Sequence, residues 1–437
     1  MPIVISSGEI HKLLCVPELP NEKGKTQAEA VYIALRDWGL NDCVQALCCD
    51  TTNANLGCRN GAAIILEQIL KRSLLYLPCR HHIFEIIIGS VFESKLPGTS
   101  GPNVLLFKRF QSEWDNIDKS KYKSGLEDAI IKEDLNNQIP EIKTFIKNML
   151  DEILPRDDYK ELLQLCQIFL GLVSPCDVKF YRPSGFHHAR WMSKAIYSLK
   201  IYIFRDAFRL TKQEKKGLFD ICIFIVFIYI KAWYTSPLAV RAPSHDLNFI
   251  KILYKFKSID TVAAEMALYK FINHLWYLSP EAAALAFFDE KVSVEIKRKM
   301  VQKLKLSTNS EMEPSKKYYV HNDADLEKLQ SYNLDHFITD KSILFFDRFN
   351  IDKSFLECDV DKWSENTAYL EGLKIVKSLE VVNDIAERNV KRAEEYITRK
   401  ITVNEPQRQY LLQVVEEYNK IYPSASKKNV CKKMRIN

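Results

Sequence analysis

Apolar positions in the first part of the chain follow two spacings, and each spacing predicts a kind of element. Short uninterrupted apolar runs are typical of strands, and apolar residues three and four apart are typical of amphipathic helices. The predicted order is strands at 3–5 and 12–16, a helix at 26–38, a fully buried strand at 44–49, a helix at 60–72, and a strand or early helix at 73–90. This alternation of strands and helices predicts an α/β region.

From residue 104 onward, nearly every apolar stripe has the helical spacing. The segment from Pro97 to Pro102 is rich in proline and glycine and marks a boundary before this block. Long helices are also predicted at 366–399 and 404–421. The sequence therefore predicts an α/β plus all-α protein with an α/β region at 1–96, a helical block at 103–306, a linker and irregular segment at 307–365, C-terminal helices at 366–422, and a basic tail at 423–437.

Composition is that of an ordinary globular protein. Of 437 residues, 47% are hydrophobic and 27% are charged, and the net charge of +6 permits a basic face without requiring nucleic acid. The 11 cysteines show no repeating spacing, which indicates free thiols in a reducing compartment. The apolar run 221–230 is shorter than the ~20 residues that cross a bilayer. We expect a nuclear or cytoplasmic protein with no secretory signal and no membrane partner.

Asp50 closes the predicted strand at 44–49 and precedes a polar turn that opens a helix. Open α/β sheets present their chemistry at the carboxyl ends of strands, so Asp50 is a candidate metal ligand or catalytic acid. A carboxylate before Thr51, Thr52 and Asn53 is also typical of an Asx-turn or a helix N-cap. Taken alone, the residues favour the capping interpretation, because one carboxylate is a poor metal site.

Cys79 and His82 follow the next apolar run with the spacing of half a zinc site. A complete site would need two more ligands, for which His187, His188 and Cys176 are candidates by type. No pair of cysteines has the spacing of an autonomous zinc finger. A structural or DNA-proximal role for Cys79 and His82 is favoured over zinc.

Three motifs together resemble the hAT superfamily of DNA transposases over residues 25–422. They are Asp50 with Asn53 or Asn55, Cys79 with His82, and the run Arg190-Trp191-Met192-Ser193. The resemblance implies a ribonuclease-H-like core, partial here, that is interrupted by a large helical insertion and followed by C-terminal helices. It also implies a DDE metal site that holds Mg²⁺ or Mn²⁺ when the protein is active, and no cofactor otherwise. With the resemblance, the position of Asp50 in that site is favoured over the capping interpretation.

The resemblance places a first acidic residue on a strand ahead of Asp50 and a third one after the helical insertion. Six acidic residues precede Asp50, and none follows a predicted buried strand: Glu9, Glu18, Glu22, Glu29, Asp37 and Asp42. The chain is therefore expected to begin after the strand that carries the first one. Glu387, with Asp384 as the alternate, best matches the third and would share the metal with Asp50. Asp384 and Glu387 are three residues apart and so share a helix face, and such a pair is also typical of a solvated helix surface.

Residues 182–216 carry many basic side chains interleaved with aromatic ones. A basic helix of this kind can contact a phosphate backbone. The candidate nucleic-acid-binding residues are Arg190, Trp191, Lys194, Lys200 and Arg205. The alternative is a solvated basic face whose aromatic residues lie in the core. By resemblance, the C-terminal helices would build a homo-oligomer, or they would simply cover the α/β core.

The leading hypothesis is a transposase-derived protein that has lost strand transfer and binds DNA. The first alternative is an active metal-dependent transposase or nuclease. The second alternative is a helical scaffold for protein interactions. These hypotheses differ in two properties that can be measured, which are metal-dependent cleavage of DNA and retention on DNA at low salt.

Overall fold

The computed structural model describes residues 1–7, 10–96, 104–126, 133–173, 180–183, 192–306, 317–319 and 327–383. Of these residues, 64% are helical and 4% are in strands, so the fold is mostly helical with a small strand content. The described chain forms two compact units. Unit 1 comprises Met1–Ile83, Thr235–Lys251 and 271–383, and unit 2 comprises Phe84–Tyr234 and Ile252–Lys270.

Unit 1 opens with an antiparallel hairpin. Strand β1 (Ile3–Ser7) pairs with β2 (Ile10–Cys15), as the two apolar runs predicted. Helix α1 (Gly24–Asp37) packs Ala34 and Leu35 against the hairpin in one core cluster. A Cβ at Gly24 would collide with the Asn60 carbonyl oxygen, so α1 begins in close contact with the loop before the next long helix.

A second, parallel pair of strands follows. Strand β3 (Ala46–Leu47) pairs with β4 (Leu75–Tyr76), and the helices α2 (Asn53–Leu56) and α3 (Ala62–Leu70) connect them. Backbone hydrogen bonds extend this ladder, because the N–H groups of Leu75, Leu77 and Cys79 donate to the carbonyl oxygens of Gln45, Leu47 and Cys49. This is the βαβ connection that the alternating pattern predicted.

The strand predicted at 44–49 differs from its prediction in burial. Its side chains are half-buried rather than fully buried, whereas Leu75 and Tyr76 of β4 are buried. The physical reason is its position, because among the described residues β3 has a strand partner on one edge only. A continuous apolar run cannot distinguish a central strand from an edge strand.

The rest of unit 1 is helical and surrounds an aromatic core. Phe288 stacks on Tyr369 with ring centroids 5.3 Å apart, and Phe355 meets Trp363 edge-on at 5.0 Å. Residues 327–365, predicted as linker and irregular chain, include short 3₁₀ turns and helix α16. The helices of unit 1 from residue 242 onward are α12 (Ala242–Phe256, which continues into unit 2), α14 (Pro280–Ala283), α15 (Val294–Leu306), α16 (Ile343–Arg348) and α17 (Thr367–Lys377).

Helix α17 ends much earlier than the predicted helix at 366–399. After Ser378 the chain becomes non-helical and pairs with the residues that follow β4. Arg80 donates its backbone N–H to the Val381 carbonyl oxygen at 2.8 Å, and the Asn383 N–H approaches the Cys79 Sγ at 3.4 Å. These contacts replace further helical turns. Residues 384–399, and the helix predicted at 404–421 with its proposed dimer contact, lie outside the described residues.

Unit 2 is built from helices. They are α4 (Arg80–Lys95, whose first turn belongs to unit 1), α5 (Leu105–Glu113), α6 (Glu133–Asn136), α7 (Ile139–Asp151), α8 (Asp157–Phe169), α9 (Ser193–Ile203), α10 (Lys212–Phe224), α11 (Ile230–Thr235) and α13 (Thr261–Phe271). One π-helical turn, Ile225–Tyr229, joins α10 to α11.

The continuous helix Lys212–Thr235 is the one helix in the described part of the chain that is long and apolar enough to cross a membrane. Its apolar window is 72% buried within the fold. It is therefore a core helix, as predicted for the apolar run at 221–230.

Candidate functional site

Asp50 lies directly after β3, at the carboxyl end of the parallel pair. Its Oδ1 accepts hydrogen bonds from the Thr52 N–H at 3.0 Å, the Thr52 hydroxyl at 2.6 Å and the Asn55 amide at 2.6 Å. This is an Asx-turn that leads into α2, whose N-cap is Thr52. Asp50 therefore forms the Asx-turn that was one of its two interpretations, and its role as a metal ligand stays a prediction.

The two candidate asparagines of the motif have different environments. Asn55 is half-buried and donates to Asp50, so it holds the carboxylate in place. Asn53 is exposed, is the first residue of α2, and accepts the Gly57 N–H on its carbonyl oxygen at 3.0 Å. Asn55 is therefore the asparagine that is structurally coupled to Asp50.

Cys79 and His82 lie beside Asp50 because the two strands run parallel. The Cys79 N–H donates to the carbonyl oxygen of Cys49, the residue before Asp50, at 2.7 Å. Burial lowers the pKa of His82, and the charge of Asp50 opposes that shift. The motifs at 50–55 and 79–82 thus converge at the ends of adjacent strands.

Arg80, between these two residues, has a structural role. Its guanidinium is buried and pairs with the buried carboxylate of Asp246, and it donates to the Ser236 carbonyl oxygen at 3.1 Å. Burial raises the pKa of Asp246, and Arg80 opposes that shift. The pair ties the start of α4 to α12 within unit 1 and is not directed at a ligand.

The described residues around Asp50 do not by themselves complete a two-metal centre. Among the described residues, no group of three or more His, Cys, Asp or Glu side chains could hold a metal ion. Mg²⁺ prefers several oxygen ligands in octahedral geometry. The side chains near Asp50 are the Thr52 hydroxyl, the Asn55 amide, the Cys49 thiol and the His82 imidazole, and none of these is a second carboxylate. Glu387 and Asp384, the predicted third carboxylates, lie outside the described residues.

Two of the predicted nucleic-acid contacts are buried in the core of unit 2. Lys200 is 1% exposed, pairs with Glu161, and donates to the Tyr181 carbonyl oxygen at 2.8 Å. Burial lowers the pKa of Lys200, and Glu161 opposes that shift. Arg205 is 4% exposed and donates to the carbonyl oxygens of Ser124 at 2.8 Å and Tyr202 at 3.1 Å. These contacts correct the expectation that either residue faces DNA.

The physical reason is the position of α9. Nearly every residue from Ala195 to Ile203 is buried, so its basic side chains need partners inside the protein. Lys194, on the first turn, is half-buried. Arg190 and Trp191 lie outside the described residues.

The basic side chains that reach solvent begin a few residues later. We call the following group the basic surface of unit 2: Arg109, Lys123, Arg209, Lys212, Lys215 and Lys216. Arg209, Lys212 and Lys216 are exposed, and the others surround two carboxylates. The surface is connected, because Arg109 contacts both the Glu214 carboxylate at 3.0 Å and the Arg209 carbonyl oxygen at 3.2 Å.

The two carboxylates within the basic surface are already committed. Lys123 lies 2.5 Å and Lys215 3.8 Å from Asp206, and the hydrogen bond from Lys123 leads the effects that lower the pKa of this carboxyl. Partial burial raises the pKa of Glu214, but the hydrogen bonds from Thr211 and Arg109 outweigh burial, so the pKa lies below its usual value. The basic surface therefore keeps a positive excess. The predicted basic segment 182–216 included Arg209, Lys212, Lys215 and Lys216 without revealing which are exposed, whereas Arg109 and Lys123 lie outside that segment and were missed.

Comparison with known proteins adds nothing to this geometry: no family model, no curated protein and no solved structure matches the chain.

Proposed function

We propose that this chain is a transposase-derived, hAT-like protein that binds DNA through the basic surface of unit 2 and does not cleave it. The resemblance rests on the motifs at 50–55 and 79–82, and their convergence at the ends of two parallel strands supports it. The observation that carries DNA binding is the basic surface itself, six cationic side chains around two carboxylates that are already paired.

The expected mode of binding is contact with phosphates. Lysine side chains act as point charges and release counterions from the duplex, which gives affinity without reading bases. Helix α10 begins at Lys212 behind a capping box of Thr211 and Glu214, and its N-terminal dipole adds positive potential at the same place. We therefore expect binding that depends weakly on DNA sequence and strongly on salt.

A charge reversal tests this proposal. Lys212→Glu combined with Lys216→Glu changes two exposed residues one helical turn apart. Neutralising three phosphates gives a slope of about −2.7 in log K against log salt, so we expect the reversal to weaken binding at least ~10-fold at low salt. Fluorescence anisotropy with a labelled duplex of arbitrary sequence measures the effect.

The matched control is Lys299→Glu combined with Lys303→Glu. These lysines are also exposed and one turn apart, but they lie on α15 in unit 1. The proposal predicts that this pair weakens binding much less. An equal loss from both pairs would mean that only net charge matters, and no binding of the wild type at low salt would favour the helical scaffold.

Catalysis by Mg²⁺ or Mn²⁺ is not part of the proposal. The reason is that one carboxylate oxygen of Asp50 serves its Asx-turn, and that the described residues contain no group of three His, Cys, Asp or Glu side chains that could hold a metal ion. Its role in the proposal is structural, since it joins the end of β3 to the start of α2.

A further inference from the structure

Unit 1 contains a cavity of about 1880 Å³ between its two pairs of strands. All seven residues from Met1 to Ser7 line it on one side, and all eight from Cys43 to Asp50 line it on another. The face of a strand contributes every second residue to a cavity, whereas its edge contributes consecutive ones. The cavity therefore lies between an edge of β1 and an edge of β3.

These two edges carry backbone groups that can pair with another strand. Among the described residues, each sheet has only two strands, so β1 and β3 each present one edge with no strand partner. The N–H and C=O groups along such an edge form a template for another strand. Strand addition to an exposed edge is a common way for proteins to bind extended peptides.

The floor of the cavity is apolar and incompletely covered. Five partly buried hydrophobic side chains that pack on the neighbouring core cluster also line the cavity: Met1, Ile5, Val31, Leu40 and Val44. Helices α1 and α3 complete the floor with Ala28, Leu35 and Leu66. The volume exceeds the ~300–1,000 Å³ of usual small-molecule pockets, so the cavity fits a longer occupant.

Charge around the cavity indicates the chemistry of that occupant. Among the described lining residues, the acidic ones are Glu18, Glu22, Asp50 and Glu380, and the one basic side chain is Lys374. The amino group of Met1 is engaged by the Pro17 carbonyl oxygen at 2.9 Å. An occupant with Lys or Arg at its ends would complement this acidic excess.

We propose that the cavity receives an extended segment of another polypeptide, which adds as a strand between β1 and β3. The segment has apolar side chains at alternate positions, facing α1 and α3, and basic residues at its ends. Its backbone donates to and accepts from both edges and so joins the two pairs of strands into one sheet. This binding is independent of the proposed contact of unit 2 with DNA.

The test uses a synthetic peptide of alternating valine and threonine with two lysines at each end. We expect it to protect the amides of 3–7 and 44–50 from hydrogen exchange in the full chain. In two further peptides, N-methyl groups replace the N–H groups of alternate residues. One peptide is methylated at the odd positions and the other at the even positions, so each lacks the N–H donors on one of its own two edges. Because the cavity has two strand edges, both methylated peptides should lose the protection.

Two variants on α1 test whether the peptide binds in the cavity. Val31→Arg places a charged side chain on the floor and should weaken peptide binding at least tenfold, which is about 1.4 kcal/mol. Ile33→Arg is the matched control, because Ile33 is 47% exposed on the same helix and does not line the cavity. Circular dichroism checks that both variants fold.

Three results would overturn the proposal. Protection of both edges without peptide would mean that this chain fills the cavity itself. Absence of added protection at millimolar peptide would mean that the edges do not accept a strand. Equal binding of the methylated and unmethylated peptides would mean that contact is made by side chains alone.

Discussion

The basic segment of unit 2 contains two stretches that are similar in composition and differ in burial. In α9, Lys200 is buried against Glu161, while at the start of α10, Lys212 and Lys216 are exposed. The difference lies in what surrounds each helix, because α9 is covered along most of its length and α10 begins at the surface. Charge along a sequence therefore does not identify a binding surface until the burial of each side chain is known.

The largest expected effect comes from removing a buried cation. Lys200→Met leaves the Glu161 carboxylate, whose side chain is 15% exposed, without its partner. Breaking a buried pair in this way costs about 3–5 kcal/mol of unfolding free energy. Urea denaturation measures the loss.

Lys212→Met provides the control for that comparison, with an expected change within about 0.5 kcal/mol. The double variant Lys200→Met with Glu161→Gln should recover part of the stability, because no charge is left unpaired. Similar small losses for Lys200→Met and Lys212→Met would show that the two stretches do not differ as described.

The same contrast between buried and exposed bases extends to His245, which lies near three positively charged side chains. Burial, together with the positive charges of Arg80, Arg241 and Lys291, lowers the pKa of His245 from 6.5 to about 3. The unfolded state therefore binds the proton more tightly. The stability that depends on neutral His245 is complete above pH 6.5 and is lost as the pH falls toward 3.

Between pH 7 and pH 5 this linkage removes about 2 kcal/mol of unfolding free energy. The His245→Gln variant should lack that part of the pH dependence. The test compares the change between the two pH values within each protein, so a different stability of the variant at pH 7 does not affect it. Unfolding free energies from urea titrations at the two pH values supply the comparison. Parallel pH curves for the wild type and the variant would contradict the assigned shift.

Apart from the control variants, the smallest expected effect on stability is at Asp50. Asp50→Ala removes the acceptor for Thr52 and Asn55 and should cost about 1 kcal/mol, as for other lost helix caps. Asp37→Ala, at an exposed carboxylate near the end of α1, should change stability by less than about 0.5 kcal/mol. Thermal unfolding of both variants checks whether the Asx-turn contributes as much as its hydrogen bonds indicate.

Local patterns were sufficient to predict the elements around Asp50. The apolar runs and helical stripes located β1, β2, α1, α3 and the parallel connection, because those elements are specified by residues close in sequence. The Asx-turn was also readable from Asp50 and the residues after it.

The errors have one physical source, which is contact between distant residues. The chain leaves helix α17 because Val381 and Asn383 bond with Arg80 and Cys79, about three hundred residues away. Lys200 is buried because Glu161 lies on the neighbouring helix α8. The open edge of β3 depends likewise on which strands pair. None of these contacts leaves a periodic signal in the sequence.

Plasmid nicking in Mn²⁺ tests most directly the claim that this protein binds DNA without cleaving it. Supercoiled plasmid is incubated with the wild type and with Asp50→Ala, after retention of the plasmid by both proteins has been verified. We predict no nicking above the buffer control for either protein. Nicking by the wild type that requires Mn²⁺ and disappears in Asp50→Ala would contradict the account and would make Asp50 a metal ligand.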